Sequence, residues 1–141
     1  MTSLRALLEE GLRPGVYRWP SAPGADDVRR DAEAEGFGFV LLDTGEIHDK
    51  SGFLDLCATA VDLPRWFGRN WDALADSLSD RSTGSPEVVL WTGLLNLLEH
   101  DHDTVDVALQ IFNEDTTNSG QLRVLIAEAT TPDLLRSLPV L

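Results

Sequence analysis

The chain has 141 residues, 43% of them hydrophobic, which is enough for one domain with a core of its own. Its 24 Asp and Glu residues against 11 Lys and Arg give a formal net charge of −13, which argues against nucleic-acid or anionic-membrane binding. A basic protein would be attracted to such a chain, but an acidic balance is also ordinary in soluble proteins, and net charge alone favours this plain role in solubility. The single cysteine, Cys57, excludes an internal disulfide and a cysteine zinc cluster, and it suits a reducing compartment.

The segment up to Gly36 predicts a helix, a strand and a second helix. Four leucines with helical spacing form the first helix, namely Leu4, Leu7, Leu8 and Leu12. Residues 16–19 alternate like a brief strand, and Asp26 or Asp27 is expected to cap a helix that runs to about Glu35. Charged residues interrupt the N-terminal apolar stretch, and no segment approaches the ~18 apolar residues of a membrane span. We therefore expect a cytoplasmic protein.

Buried strands and helices alternate after Gly36. Apolar runs predict strands at 37–42, 86–91 and 122–127, each buried on both faces of a sheet. Helical spacing predicts helices at 49–63, after Asn70, up to Glu99 and at 104–115. The tail from Thr131 offers Leu134, Leu135 and Leu138 for a final docked turn. A strand, helix, strand order implies right-handed parallel crossovers, so the sequence predicts an α/β fold with a small parallel sheet covered by helices.

Three acids recur at every fourth position of the helix that follows Asn70. At about 100° per residue, Asp72, Asp76 and Asp80 lie on one exposed stripe, while Leu74 and Leu78 lie on the core face. Like charges at this spacing cost a helix about 0.2–0.5 kcal/mol per pair. We interpret the three residues, called the acid stripe below, as a surface for a positively charged partner.

The residues before and at the start of this helix are aromatic. Asn70 is the expected helix cap, and Trp71 is expected to rest part of its ring on the edge of the core and to leave part exposed beside the acids. Trp66 comes from the preceding turn. We predict that Trp66 and Trp71 belong to an interface, whereas Trp19 and Trp91 belong to the core.

Residues 63–74, Leu-Pro-Arg-Trp-Phe-Gly-Arg-Asn-Trp-Asp-Ala-Leu, together with Asp76 and Leu78, closely resemble the signature of the barstar family, the intracellular inhibitors of guanyl-preferring bacterial ribonucleases. The similarity covers roughly 37–127, including the strand at 88–91 and the segment 109–114. Residues 1–36 are then an N-terminal extension that adds a strand and a helix to a single barstar-like domain, and 128–141 are a C-terminal tail. The resemblance implies a small parallel sheet covered by helices, with an acidic helix that plugs the ribonuclease active site.

The resemblance also implies a set of partner-binding residues: Trp66, Asn70, Trp71, Asp72, Ala75, Asp76, Asp80 and Glu114. In such proteins the carboxylate matching Asp76 occupies the phosphate site of the enzyme, Asp72 matches a second contact carboxylate, and Glu114 matches an acid at the rim. Ala75 replaces an aromatic residue, so the contact surface is remodelled. The expected function is one-to-one inhibition of a basic extracellular, guanyl-specific ribonuclease by a monomer that needs no cofactor or metal, as an antitoxin that protects the producing cell.

Other interpretations stay open. The acid stripe is also what a solvated helix face looks like, and the same surface would suit an immunity module for a different cationic toxin. A metal-dependent enzyme is the distant alternative, because residues 100–103 read His-Asp-His-Asp, although adjacent side chains on a helix diverge and an acidic turn that caps the next helix is favoured. Asp72 and Asp76 are expected on one exposed helix, which does not suit a buried acid and base pair of an enzyme. Cys57 is expected to be a small buried hydrophobe.

Overall fold

Strands and helices alternate through most of the chain. The computed structural model describes residues 3–60, 70–81, 84–118 and 120–141. Six α-helices and four strands lie within these residues. In chain order the elements are α1 (Leu4–Glu9), β1 (Gly15–Arg18), α2 (Ala25–Ala34), β2 (Gly38–Asp43), α3 (Lys50–Ala60), α4 (Trp71–Arg81), β3 (Glu87–Thr92), α5 (Leu94–His100), α6 (His102–Thr117), β4 (Leu122–Ile126) and a 3-10 turn (Asp133–Leu135). The predicted α/β fold is confirmed.

The strands form one parallel sheet in the order β1-β4-β3-β2. At the centre, Val89 of β3 pairs with Val40 of β2 on one side and with Val124 of β4 on the other. The prediction of burial on both faces holds for β3 but is wrong for β2, where Phe39 and Leu41 remain partly exposed. The reason is topological, because β2 is an edge strand and therefore has a neighbouring strand on only one side.

Helices cover both faces of the sheet. Successive side chains of β3 point to opposite faces, so Val89 and Trp91 join one core cluster while Val88 and Leu90 join the other. The larger cluster contains residues of α3, α4, α5 and α6. The smaller cluster consists of Leu4, Trp19, Val28, Ala32, Val88, Leu90 and Leu125. The acidic helix α4 and the N-terminal helices α1 and α2 therefore lie on opposite faces of the sheet.

The start of α2 differs from the prediction. Its N-cap is Gly24, in an extended conformation with φ −60° and ψ 155°, and neither Asp26 nor Asp27 holds the cap position. Both acids instead lie in the first turn, where the positive end of the helix dipole stabilises negative charge. The signal for a helix start was correct, but the residue was misplaced by two or three positions.

The other helix ends depart from the sequence boundaries by small shifts. α3 is described to Ala60, and its predicted end at Leu63 lies outside the described residues. α6 is longer than predicted because Asp101 precedes it as the N-cap, with Oδ1 accepting a hydrogen bond from the backbone N–H of Thr104 at 3.2 Å. This confirms the capping role predicted for the turn at 100–103. None of the helices within the described ranges is long and apolar enough to cross a bilayer.

The C-terminal tail packs beside β1. Leu135 is fully buried, with Leu134 and Leu138 packed partly against the core, so the predicted final turn is confirmed. The backbone N–H of Arg18 donates to the carbonyl of Pro139 at 2.8 Å, and the N–H of Leu141 donates to the carbonyl of Arg18 at 2.8 Å. These bonds satisfy backbone groups of β1 on the side away from β4.

Candidate protein-interaction site

The acidic helix α4 begins at a well-formed cap. The side-chain oxygen Oδ1 of Asn70 accepts a hydrogen bond from the backbone N–H of Ala73 at 2.8 Å, and the carbonyl of Asn70 accepts one from Leu74 at 3.0 Å. Asn70 therefore caps the helix as predicted. Asp72 follows in the first turn, where the helix dipole favours its charge.

Core residues and acids occupy different sides of α4. Leu74 is 1% exposed and Leu78 is 2% exposed, so these two side chains anchor the helix in the larger core cluster. Asp72, Asp76 and Asp80 are all exposed. The position of the acid stripe is thus the one that helical spacing predicts.

The carboxylates of the stripe differ in their surroundings. Over the ranges described, no hydrogen bond or ion pair connects Asp72 or Asp76 to another residue. Asp80, by contrast, already interacts with another group of the chain. Asp72 and Asp76 therefore offer their carboxylate oxygens to an external positive group, and both are held on a helix whose opposite side is fixed in the core.

A series of aromatic contacts supports Trp71 at the start of α4. Its ring centroid lies 5.9 Å from that of Phe53, which lies 5.6 Å from that of the fully buried Trp91. Trp91 in turn contacts Phe112 edge to face at 6.0 Å. Trp71 is partly buried, as predicted, so a large aromatic surface is fixed next to Asp72.

Ala75 borders a cleft between α4 and α6. The cleft has a volume of about 140 Å³. Its lining consists of Ala75, Ser79, Ile111, Glu114, Asp115 and Asn118. Glu114 is exposed, in keeping with the predicted place at a rim. Burial raises the pKa of the Asp115 carboxyl, and no hydrogen-bond partner for its Oδ2 atom is found in the described part of the chain.

Trp66, another of the predicted partner-binding residues, lies outside the described residues. The other seven lie on α4, on its N-cap residue and on the neighbouring α6. Asn70, Trp71, Asp72, Ala75, Asp76 and Asp80 belong to α4 or its cap, and Glu114 comes from the neighbouring α6. Their role in binding stays a prediction.

The remaining candidates from the sequence are structural. Trp19 and Trp91 are 1% and 0% exposed and lie in the two core clusters, as predicted. Burial raises the pKa of the Cys57 thiol to about 12, which fits a small buried hydrophobe rather than a nucleophile. Where the chain is described, His, Cys, Asp and Glu side chains form no group of three or more that could hold a metal ion. The ring of His100 packs against that of His48, with centroids 4.1 Å apart.

Sequence reasoning missed two residues near the site. Lys50 at the start of α3 places its Nζ atom 5.6 Å from the ring centroid of Trp71, and nothing in the spacing of either helix indicates this contact. Asp115 was overlooked beside Glu114, although two consecutive acids near the C-terminal end of a helix are an unfavourable pattern that could have drawn attention.

Comparison with known protein families gives a match over more than half of the chain. The family model described as Barstar (barnase inhibitor) matches residues 37–127. The match begins just before β2 and ends just after β4, so it includes α4, α6 and the cleft between them. No curated protein matches the chain. Members of the matched family are inhibitors that bind a ribonuclease, so the match supports a barnase-inhibitor-like role in general.

Proposed function

The chain belongs to the barstar family, and from that premise we propose that it inhibits a basic secreted ribonuclease by binding it one to one and covering its active site with α4. The partner we propose is a guanyl-specific extracellular ribonuclease. The inhibitor acts as a monomer in the cytoplasm of the producing cell, where it serves as an antitoxin. It needs no cofactor and performs no catalysis, because blocking the cleft of the enzyme is sufficient.

The observation that carries this proposal is the state of Asp72 and Asp76. Both are exposed, and within the described residues neither has a partner. A carboxylate accepts paired, charge-assisted hydrogen bonds from Arg, as a phosphate does. A ribonuclease must hold RNA phosphates with positive side chains, so a fixed row of carboxylates can occupy the same positions.

The distribution of charge along the sequence gives further support. Of the 24 Asp and Glu residues, 17 follow Gly36, together with only six of the 11 Lys and Arg residues. The acid excess therefore lies mainly in the part that contains α4 and α6. Such a surface attracts a basic enzyme at a distance of about one Debye length, roughly 8 Å at physiological salt.

The first test is Asp76→Ala in an assay of inhibition of a purified guanyl-specific ribonuclease. Removal of charge-assisted hydrogen bonds, each contributing about 1.5–3 kcal/mol, is expected to raise the inhibition constant at least about tenfold. The thermal midpoint should not fall, because Asp76 is exposed on α4 and its removal relieves the like-charge pairs with Asp72 and Asp80.

The matched control is Glu33→Ala. Glu33 is an exposed acid of α2, on the other face of the sheet, so its removal changes net charge equally without touching α4. Inhibition that survives Asp76→Ala, or that falls equally with Glu33→Ala, would contradict the proposed mechanism.

A second test separates long-range electrostatic attraction of the ribonuclease from direct contact with it. Glu114 is exposed on α6 at the edge of the proposed contact surface, so Glu114→Ala should slow association about two- to fivefold at low salt and change the dissociation rate little. Stopped-flow binding at two ionic strengths measures both rates. A large rise in the dissociation rate would show that Glu114 makes a central contact instead.

A different cationic toxin is the second candidate partner. The observation that favours it is the cleft beside Ala75, because a small residue at this position changes the shape that a ribonuclease would meet. Titration against a panel of guanyl-specific ribonucleases distinguishes the two candidates. Inhibition of at least one member supports the first, and failure with all of them together with capture of another basic nuclease toxin supports the second.

A further inference from the structure

Lys50 is the single lysine of the sequence, and it lies against the proposed interface. It is the first residue of α3, it is exposed, and its Nζ atom is 5.6 Å from the centroid of the Trp71 ring. A cation at this distance from an indole is attracted by the negative charge on the ring face. In the free protein, part of the aromatic surface beside Asp72 is therefore occupied by a side chain of the same molecule.

Lys50 differs from other exposed basic residues of the chain in its surroundings. Among the residues with described positions, no carboxylate forms an ion pair with its ammonium group. By comparison, Arg30 of α2 pairs with Asp27 at 3.3 Å, and Arg136 of the tail pairs with Asp133 at 3.1 Å. A partner that approaches the face of Trp71 meets the ammonium group of Lys50, which forms no ion pair with a described residue, whereas a partner that approaches Asp72 or Asp76 meets negative charge.

We propose that Lys50 determines specificity by keeping cationic side chains of other proteins away from Trp71, so that they can bind only at Asp72 and Asp76. The inference rests on the proposed function, because it concerns which basic proteins α4 accepts. Many basic proteins carry exposed Lys or Arg side chains that would bind an open indole next to carboxylates. Occupation of the ring by an internal cation adds a repulsive element, and discrimination between related partners often depends on such an element.

The experiment compares Lys50→Met with Arg30→Met. Methionine keeps the length of the side chain and removes the charge, and Arg30→Met makes the same change in net charge on the other face of the sheet. The probes are a guanyl-specific ribonuclease and lysozyme, the latter as an unrelated basic protein. We expect Lys50→Met to tighten the binding of lysozyme about two- to fivefold, the range of an exposed cation–π contact, and to tighten the binding of the ribonuclease less. Arg30→Met should leave the binding of both proteins unchanged.

A double variant tests whether the effect passes through the indole. In the background of Trp71→Leu, the change Lys50→Met should no longer tighten the binding of lysozyme, while Lys50→Arg in the native background should preserve the native affinity. Equal effects of Lys50→Met and Arg30→Met, or a loss of affinity with Lys50→Met, would overturn the inference.

The two proposals can fail separately. If Asp76→Ala abolishes inhibition and Lys50→Met changes nothing, the inhibitor function stands and only the role of Lys50 is wrong. The lysozyme measurement remains decisive even if no ribonuclease is inhibited.

Discussion

The thiol of Cys57 shows how burial controls the chemistry of one residue. It is 2% exposed on the core side of α3, and burial raises its pKa to about 12 because the thiolate would lose its hydration. The thiolate is the reactive form, so we expect iodoacetamide to label the native protein at pH 8 at least about 100-fold more slowly than the unfolded protein. Mass spectrometry with and without urea measures the two rates. Similar rates would show that Cys57 is accessible in the native state.

Capping residues could be predicted because they act locally. Asn70 and Asp101 each accept a hydrogen bond from a backbone N–H three residues later. The sequence identified Asn70 as a cap by name, and it placed the other cap within the acidic turn 100–103. Asp26 and Asp27 show the limit of the same rule, since acids are also favoured in the first turn and Gly24 holds the cap. The contact between Lys50 and Trp71 joins two helices, so no local pattern could reveal it.

At the scale of the element, α6 ends in an unfavourable arrangement of charge. Glu114 and Asp115 lie near its C-terminal end, where the helix dipole is negative, and the last turn contains no basic residue. Burial raises the pKa of Asp115 above its ordinary value of 3.8. The chain also folds closely over this residue, since a Cβ atom on Gly120 would lie 2.6 Å from the carbonyl oxygen of Asp115.

We therefore expect Asp115→Asn to stabilise the free protein at neutral pH by about 0.3–1 kcal/mol, the usual size of a charge interaction with a helix end. A raised pKa means that the folded state binds the proton more tightly than the unfolded state. The native protein accordingly loses stability relative to the variant as pH rises from 3.8 through the folded-state pKa, and the difference is constant above it. Urea unfolding between pH 3 and pH 7 measures this difference.

Asp106→Asn is the control for this prediction on the same helix. Nine residues separate positions 106 and 115, which at about 100° per residue puts Asp106 on the opposite side of α6. Asp106 also lies far from the C-terminal end of α6, so its removal should not reproduce the stabilisation expected of Asp115→Asn. A destabilised Asp115→Asn variant would show that the carboxylate makes a favourable interaction in the folded state.

The positions of the helices and strands were largely predictable from the sequence, whereas the order of the strands and the contacts between helices were not. Hydrophobic spacing located α4, with Leu74 and Leu78 buried and the acid stripe exposed, because one helical period determines both faces. The same spacing could not show that β2 is an edge strand, since strand order depends on contacts between distant segments. The cleft beside Ala75 was equally hidden, because it arises only where α4 meets α6.

At the scale of the molecule, the residues before Gly36 supply the fourth strand of the sheet. The family match covers the other three strands, β2, β3 and β4. β1 pairs with β4, with Val16 opposite Val124, and the tail covers the other side of β1. On the face away from α4, Arg5 of α1 pairs with Glu35 at 3.2 Å. The sequence predicted an added strand and helix in this extension, although the edge at which the strand joins could not be derived. We propose that residues 1–141 form one domain.

Arg123 is the side chain that best tests this proposal. It extends from β4 toward the N-terminal helices, where its Nε atom donates to the carbonyl of Leu12 at 3.1 Å and its guanidinium lies 5.0 Å from the centroid of the Phe37 ring. Burial lowers the pKa of Arg123, while the nearby Tyr17 acts in the opposite direction. A partly buried cation is thus held by a backbone carbonyl and an aromatic ring of the N-terminal half.

We expect Arg123→Met to lower the free energy of unfolding of the whole chain by about 1–3 kcal/mol, because the Leu12 carbonyl loses its donor. In a single domain, unfolding followed by tryptophan fluorescence and by circular dichroism should still give one coincident transition. Inhibition of the ribonuclease at temperatures below the transition should be unchanged, since α4 lies on the other face of the sheet.

The control is Arg136→Met, which removes an exposed arginine from the tail and should change the free energy of unfolding little. Two separate transitions would show that the N-terminal residues unfold as an independent unit, and lost inhibition in the folded variant would show that they contribute to binding.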